Sequence, residues 1–204
     1  MLRTRFSVLM TVLVCCISIP AFSAFVSIDP DAYGDGVDVS DIYSDATLSS
    51  VGGYPGLDGR VYAVEDGFAS TGTMVFGNNL GFGSQWSADN NLGFALRVDF
   101  HQNANSVAID LIGDDASDSA IVQAYNAQGQ LIAEERAYFI GAGQVVRAQL
   151  DRPEYDIAYI TAGGLTINGQ AETIHLDNIE ANVIPEPASL LLLGLGAAVL
   201  RRRK

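Results

Sequence analysis

The sequence predicts an all-β protein: an antiparallel two-sheet sandwich, jelly-roll-like, flanked by an N-terminal signal helix and a short C-terminal hydrophobic helix. Residues 94–100 and 107–111 alternate apolar side chains with small, polar or charged ones, which is the period-two pattern of half-buried strands. Similar short segments recur along the chain with Gly, Asn and Asp between them, and no convincing amphipathic helix is visible. This spacing is typical of sandwich folds.

The first element is an export signal over residues 1–23. Arg3 and Arg5 precede an apolar run, residues 6–19, that is too short to span a bilayer, and Pro20 ends it just before small residues. We expect cleavage after Ser23, with Ala21 at the −3 position. The export translocon is therefore the first predicted partner.

Both cysteines, Cys15 and Cys16, lie inside this apolar run. The mature chain then contains no cysteine, which excludes disulfides, thiolate metal sites and cysteine nucleophiles. Lipid attachment requires a small residue before the modified cysteine, whereas Val14 and Cys15 precede the two candidates. A lipoprotein is therefore disfavoured.

The cargo domain is predicted to comprise residues 24–184. Polar residues 101–106 predict a turn between the strands at residues 94–100 and 107–111. Residues 126–129 predict a hairpin in which Gly129 takes a positive φ. The further predicted strands are 61–64, 73–76, 120–125, 130–139, 144–150, 157–161 and 173–183. The predicted core consists of eight apolar strand residues: Phe94, Leu96, Val98, Phe100, Val107, Ile109, Leu111 and Val122.

Residues 185–204 form a distinct C-terminal tail. Pro185, Glu186 and Pro187 break the chain before a 13-residue apolar run, residues 188–200, and the tail ends in four basic residues: Arg201, Arg202, Arg203 and Lys204. A helix of 13 residues rises about 20 Å, short of a hydrocarbon core of about 30 Å. The terminal cations would stay on the cytoplasmic side, which leaves the cargo outside. These properties predict a sorting tail that is recognised and removed.

The tail resembles the PEP-CTERM sorting signal of Gram-negative bacteria in its Pro-Glu-Pro triplet, its Leu/Gly/Ala run and its terminal arginines. The resemblance implies processing by an exosortase, an integral-membrane transpeptidase-like enzyme, after transient anchoring in the inner membrane. It also implies release to the cell surface or the exopolysaccharide matrix. The alternative, an ordinary C-terminal membrane anchor behind a proline linker, has the same topology. Neither says what the cargo does.

The cargo domain is strongly acidic. It holds five arginines, no lysine and 23 acidic residues, which gives a formal charge of −18. Phosphate backbones and anionic membrane surfaces would be repelled, so nucleic acid is excluded as a partner class. Divalent cations and neutral glycans are compatible with this charge. Residues 107–134 and 174–179 resemble sandwich domains of PEP-CTERM cargo, and carbohydrate-binding jelly rolls at the level of fold only.

Two acidic segments are candidate calcium sites. The first has six aspartates within 17 residues: Asp29, Asp31, Asp35, Asp38, Asp41 and Asp45. Asp177 and Asn178 on the last predicted strand would complete either this site or the second one. Calcium takes six to eight oxygen ligands, but the spacing is not that of an EF-hand, because Ile42 stands where a bidentate Glu is needed. The second is an acidic turn with Asp114, Asp115 and Asp118. A solvated acidic loop is the alternative for both.

No complete catalytic set is visible. Glu134 and Glu135 are adjacent on a predicted strand and face opposite sides, which does not suit a carboxylate pair acting on one glycosidic bond. His101 and His175 have no HxH or HExxH partner, and no GxSxG motif supports a serine nucleophile. We therefore predict a protein that is not an enzyme. A secreted polysaccharide hydrolase or lyase is the alternative, with Glu65, Asp99, Asp110 and Glu134 as its best-placed carboxylates.

Aromatic residues suggest a carbohydrate-binding site. Trp86 is the single tryptophan and lies in a Gly/Asn-rich segment typical of an exposed loop, so a sugar ring could stack on its indole. The alternative is that Trp86 caps the core at a sheet edge. Tyr54 is a further candidate platform, as are Tyr33 and Tyr43. The sequence thus predicts an exported structural or adhesive protein of the cell surface or extracellular matrix that contacts polysaccharide.

Overall fold

The computed structural model describes residues 23–81, 83–88 and 93–184. All strands of the described residues lie within one compact unit, Ala24–Val183. In chain order they are β1 (Ala24–Ile28), β2 (Ala46–Val51), β3 (Tyr62–Glu65), β4 (Met74–Gly77), β5 (Gln85–Trp86), β6 (Ala95–Ile112), β7 (Asp118–Tyr125), β8 (Leu131–Ile140), β9 (Val145–Asp151), β10 (Ile157–Gly164) and β11 (Ile174–Val183). A single 3₁₀ turn, Pro30–Ala32, follows β1 in the described part of the chain.

The described strands form one hydrogen-bonded antiparallel sheet, with the main order β3-β4-β11-β6-β10-β7-β8. Four strands lie off this path: β1 and β5 pair with β11, and β2 and β9 pair with β6. The all-β prediction is confirmed. The predicted division into two separate sheets is not found, because β6 runs through both halves. Its residues 95–100 pair with β2 and its residues 96–104 pair with β10. Its residues 106–112 pair with β9 and its residues 104–112 pair with β11.

The turn predicted at residues 101–106 is wrong, because these residues continue β6 without interruption. Ala104 is paired on both sides, with Ile157 of β10 and with Val183 of β11. The register of pairing with β6 shifts beside this point in both partner strands, after Ile157 of β10 and after Asn182 of β11. β6 itself continues as a strand. Pairing across the sheet thus overrides the local preference of the polar residues for a turn.

The predicted core is confirmed, since all eight apolar residues named above are buried. Seven of them, all except Phe94, belong to one cluster that joins both halves of the sheet, with Trp86, Phe76, Ile160 and Leu176 among its further members. The remaining predicted strands all occur, with ends shifted by a few residues. Three strands were missed, β1, β2 and β5, because each adjoins an acidic or Gly-rich stretch.

The hairpin at residues 126–129 is confirmed. Gly129 has φ 74°, and its N–H donates to the carbonyl oxygen of Asn126 at 2.9 Å. The Asn126 side chain accepts from the amides of Gln128 and Gln130, so the turn residues are held by their own polar groups.

The predicted signal helix and C-terminal hydrophobic helix lie outside the described residues. Among the residues that are described, none of the helical segments has the length and apolar character needed to cross a bilayer.

Candidate functional site

The most distinctive exposed feature is a row of polar and aromatic side chains across β6, β10, β7 and β8. These side chains alternate with buried core residues such as Val98, Ile160 and Val122, so they share the outward face of the sheet. We name this surface the tyrosine face and define it by seven residues: Arg97, Asp99, Gln123, Tyr125, Glu134, Arg136 and Tyr159.

Two stacked tyrosines form the centre of the tyrosine face. Tyr125 of β7 lies opposite Tyr159 of β10, and their rings are stacked with centroids 4.7 Å apart and planes 9° apart. The Arg97 guanidinium lies 3.8 Å from the centroid of the Tyr159 ring. Because β10 lies between β6 and β7, Arg97 and Tyr125 approach Tyr159 from opposite sides.

An ion pair lies at each end of the row. Arg97 donates two hydrogen bonds to Asp99, at 2.8 and 2.6 Å, and this partner raises the pKa of the Arg97 guanidinium. At the other end, Arg136 donates to Glu134 at 2.8 Å. Hydrogen bonds from Arg136 and then Gln123 lower the pKa of Glu134.

Gln123 joins the two parts of the row. It accepts from the Tyr125 hydroxyl at 3.0 Å and donates to Glu134 at 3.0 Å. The row is therefore continuous over four strands, and its charged side chains remain about one third exposed, from 32% for Arg136 to 40% for Asp99. Such an array presents oriented donors and acceptors to a polar ligand.

A second polar cluster is buried and fastens the segment before β4 to the sheet. The fully buried Asp177 accepts hydrogen bonds from the amides of Ser70 and Thr71 at 2.9 and 3.0 Å, and burial raises its pKa. Asp110 accepts from the Ser70 hydroxyl at 2.7 Å and from Arg147 at 2.8 Å. These contacts give the cluster a structural role.

The first predicted calcium site is not assembled. Asp29 accepts from the Asp31 amide at 2.8 Å, Asp31 accepts from the amides of Thr73 and Met74, and Asp35 accepts from the Glu65 amide at 3.0 Å. Asp29 and Asp177 both accept from the Thr71 hydroxyl, but these carboxylates are occupied by amides and hydroxyls of the protein. In the described part of the chain, the only group of three or more side chains close enough to share a metal ion is Asp114, Asp115 and Asp118.

The exposure expected for Trp86 is wrong. The residue is completely buried, and its indole N–H donates to the Phe76 carbonyl oxygen at 2.8 Å. Pairing of β5 with β11 carries the indole into the core, so it has no free face for a sugar and the core-capping alternative holds. Tyr54 is half-buried and packs edge-to-face against Phe94 at 5.3 Å. Its role in carbohydrate binding stays a prediction.

The carboxylates named for a possible hydrolase are separated or paired. Asp99 and Glu134 are bound by arginines, Asp110 lies in the buried cluster, and Glu65 ends β3. The lowered pKa of Glu134 does not suit a general acid. His101 contacts Ser44 and Thr47, whereas the buried His175 lies 3.5 Å from Asp66.

Sequence reasoning missed Tyr125 and Tyr159 as site residues. Both stand at outward positions of strands that were predicted, and alternation with buried neighbours was the available signal. What alternation could not show is that β7 and β10 are neighbours in the sheet.

The comparison with protein families identifies the tail. Residues 183–204 match the PEP-CTERM protein-sorting motif, and this span contains the proline triplet and the terminal arginines predicted to carry the signal. The motif indicates an exported protein that is sorted to the cell surface. A search of curated proteins found no match to the chain.

Two solved structures are similar to the cargo at low identity. The K2 cleaved adhesin domain of Lys-gingipain has a TM-score of 0.47 and 14% identity, and the match covers 78% of this chain and 99% of that one. A variant of a family 29 carbohydrate-binding module, CBM29-2, has a TM-score of 0.41 and 11% identity, and covers 81% of this chain and 99% of that one. At this level of similarity neither one assigns a ligand to this chain.

Proposed function

We propose that the cargo domain is a non-catalytic glycan-binding module of the cell surface or exopolysaccharide matrix. It reaches that location through the export translocon, a transient anchor in the inner membrane and exosortase processing of its C-terminal tail. The ligand is a neutral or weakly charged polysaccharide, and the tyrosine face is the surface that contacts it.

The continuous row of half-exposed planar groups on the tyrosine face supports this proposal. Sugars present hydroxyl groups that bond to paired donors and acceptors, and apolar C–H edges that pack on aromatic rings. Arg97 commits two of its five N–H groups to Asp99 in the bonds described above, and the guanidinium plane is fixed against Tyr159. A ligand hydroxyl therefore meets donors that are already oriented, which reduces the entropy lost on binding.

Charge favours the same ligand class. The cargo domain has a formal charge of −18, and each arginine of the tyrosine face is paired with a carboxylate of that face. A polyanion would meet net repulsion here, whereas a neutral chain of sugars would not.

Affinity electrophoresis of the processed protein in gels that contain neutral polysaccharides tests the proposal. We expect retarded migration for the wild type and loss of retardation for Tyr125→Ala and Arg97→Ala. Arg60→Ala is the matched control, because Arg60 also pairs with one aspartate, Asp38 at 2.6 Å, but lies outside the tyrosine face. Tyr54→Ala tests the site predicted from sequence.

Three outcomes would overturn the proposal. Retardation that survives Tyr125→Ala and Arg97→Ala, or that disappears only in Tyr54→Ala, would remove the tyrosine face as the binding surface. New reducing ends released from the polysaccharide by the wild-type protein would show a hydrolase instead of a binding module.

A further inference from the structure

The turn between β6 and β7 gathers three carboxylates. Oxygen atoms of Asp114, Asp115 and Asp118 all lie within 4.8 Å of one another. Asp118 is completely buried, Asp114 is half-buried and Asp115 is exposed, so the group extends from the interior to the surface.

Asp118 has an oxygen atom without a partner in the interior. Its Oδ2 accepts hydrogen bonds from the amides of Asp114 and Asp115, at 2.6 and 3.0 Å. Its Oδ1 is buried, and no hydrogen-bond partner for it occurs among the described residues. A buried carboxylate oxygen is normally satisfied, because its desolvation is costly when it is not. Oδ1 of Asp118 is therefore positioned to bind a ligand from solution, such as a cation.

No basic side chain of the cargo domain neutralises the three carboxylates. The domain has no lysine, and its two histidines contact other residues, as described above. Each of its five arginines, all in the described part of the chain, forms its ion pairs elsewhere: Arg60 with Asp38, Arg97 with Asp99, Arg136 with Glu134, Arg147 with Asp110 and Glu180, and Arg152 with Asp156.

Further carboxyl and polar side chains surround the turn. Burial raises the pKa of Glu172, and the nearby charges of Asp115 and Asp114 raise it further, whereas its hydrogen bond from the Thr173 amide lowers it. Thr173 and Gln85 both donate to Oδ2 of Asp114, which orients that carboxylate.

We propose that Asp114, Asp115 and Asp118 bind a calcium ion, with Oδ1 of Asp118 as its buried ligand. Calcium bonds to oxygen at about 2.3–2.6 Å, so one ion can bridge oxygen atoms separated by about 5 Å. The exposed side of the turn, at Asp115, leaves coordination positions for water. Extracellular calcium modules bind in the range of about 10⁻⁴–10⁻³ M, which suits a surface protein.

The bound ion would fasten three parts of the sheet. The turn connects β6 to β7, and Asp114 reaches Gln85 of β5 and Thr173 at the start of β11. Calcium binds this folded arrangement and not the unfolded chain, so it should raise thermal stability through mass action. This effect does not depend on glycan binding.

Calorimetric titration of the chelator-treated full chain with Ca²⁺ tests the site, with thermal unfolding measured in parallel. We expect one bound ion and a melting temperature that rises up to roughly 10 mM Ca²⁺, which lies above the affinity range of extracellular modules. Asp115→Asn should weaken binding by about tenfold or more, because ligand charge sets the affinity. Its side chain is exposed, so the variant should still fold.

Asp118→Asn keeps an acceptor for the two turn amides but removes the charge, and it should abolish binding. Asp31→Asn is the matched control from the other acidic segment and should bind like the wild type. No binding heat and an unchanged melting temperature up to roughly 10 mM Ca²⁺ would overturn the proposal. So would binding that survives Asp115→Asn and is lost in Asp31→Asn.

Discussion

The indole N–H of Trp86 donates a hydrogen bond of 2.8 Å to the backbone carbonyl oxygen of Phe76, and both side chains are completely buried. Trp86 pairs with Ile174 and Phe76 pairs with Leu176, so the bond joins two short strands that both lie against β11. A polar group of the largest core side chain is thereby satisfied inside the core. Trp86 accordingly holds β4 and β5 in place.

Replacing Trp86 tests this structural role. We expect Trp86→Ala to lower the free energy of unfolding by about 3–5 kcal/mol, because it leaves a large cavity in the core. Trp86→Phe should lower it less, since the ring volume is partly kept while the hydrogen bond to Phe76 is lost. Urea unfolding midpoints measure both. A midpoint unchanged in Trp86→Ala would show that the side chain is not a core residue.

Gly72 permits the close approach of Asp31. It has φ 45°, and a Cβ added there would lie 2.2 Å from the carboxylate of Asp31. We expect Gly72→Ala to destabilise the domain by roughly 1–3 kcal/mol, because strain of the backbone adds to this clash. Gly67→Ala is the control in the same segment, where an added Cβ meets nothing within 4 Å. Equal unfolding midpoints for the two variants would show that glycine is not required at position 72 for the close approach of Asp31.

The buried Asp177 predicts a specific pH dependence. Burial raises its pKa above the ordinary value of 3.8, so the folded state keeps this proton to a higher pH than the unfolded chain does. Its contribution to stability is greatest below the unfolded value and declines as pH rises through the raised pKa. Hydrogen bonds from the amides of Thr71, Asn178 and Ser70 and from the Ser70 hydroxyl oppose this shift, but burial is the larger effect.

The stability of the wild type relative to Asp177→Asn should therefore fall as the pH rises above about 4. Urea unfolding of both proteins at a series of pH values measures this difference. If the difference is constant, or increases with pH, the carboxyl group is not perturbed by burial in the way described.

The tail should be separable from the fold. Deleting residues 185–204 is expected to prevent exosortase-type processing and to leave the domain folded, because β11 ends at Val183. Val183 pairs with Ala24, so the last residue of the sheet is already held by β1. Circular dichroism of the deletion variant, and the mass of the mature wild-type protein from its host, check the two parts. A mature wild-type protein that retains an intact tail would contradict sorting by this signal.

Local patterns in the sequence were enough to predict several features. The sorting motif depends on the order of a few adjacent residues, and its span is matched as expected. The period-two alternation of Phe94, Leu96 and Val98 predicted buried strand positions, because side chains of a strand point alternately to its two faces. The Gly129 turn was predicted because its conformation depends on the residues of the turn itself.

Tertiary structure decided the features that depend on which strands are neighbours. Residues 101–106 look like a turn but lie in a strand, because β10 and β11 flank them. Trp86 looks exposed but is buried, because β11 draws its segment into the sheet. The stack of Tyr125 on Tyr159 joins residues far apart in the chain, and the pairing that creates it is set by the free energy of burying the whole core.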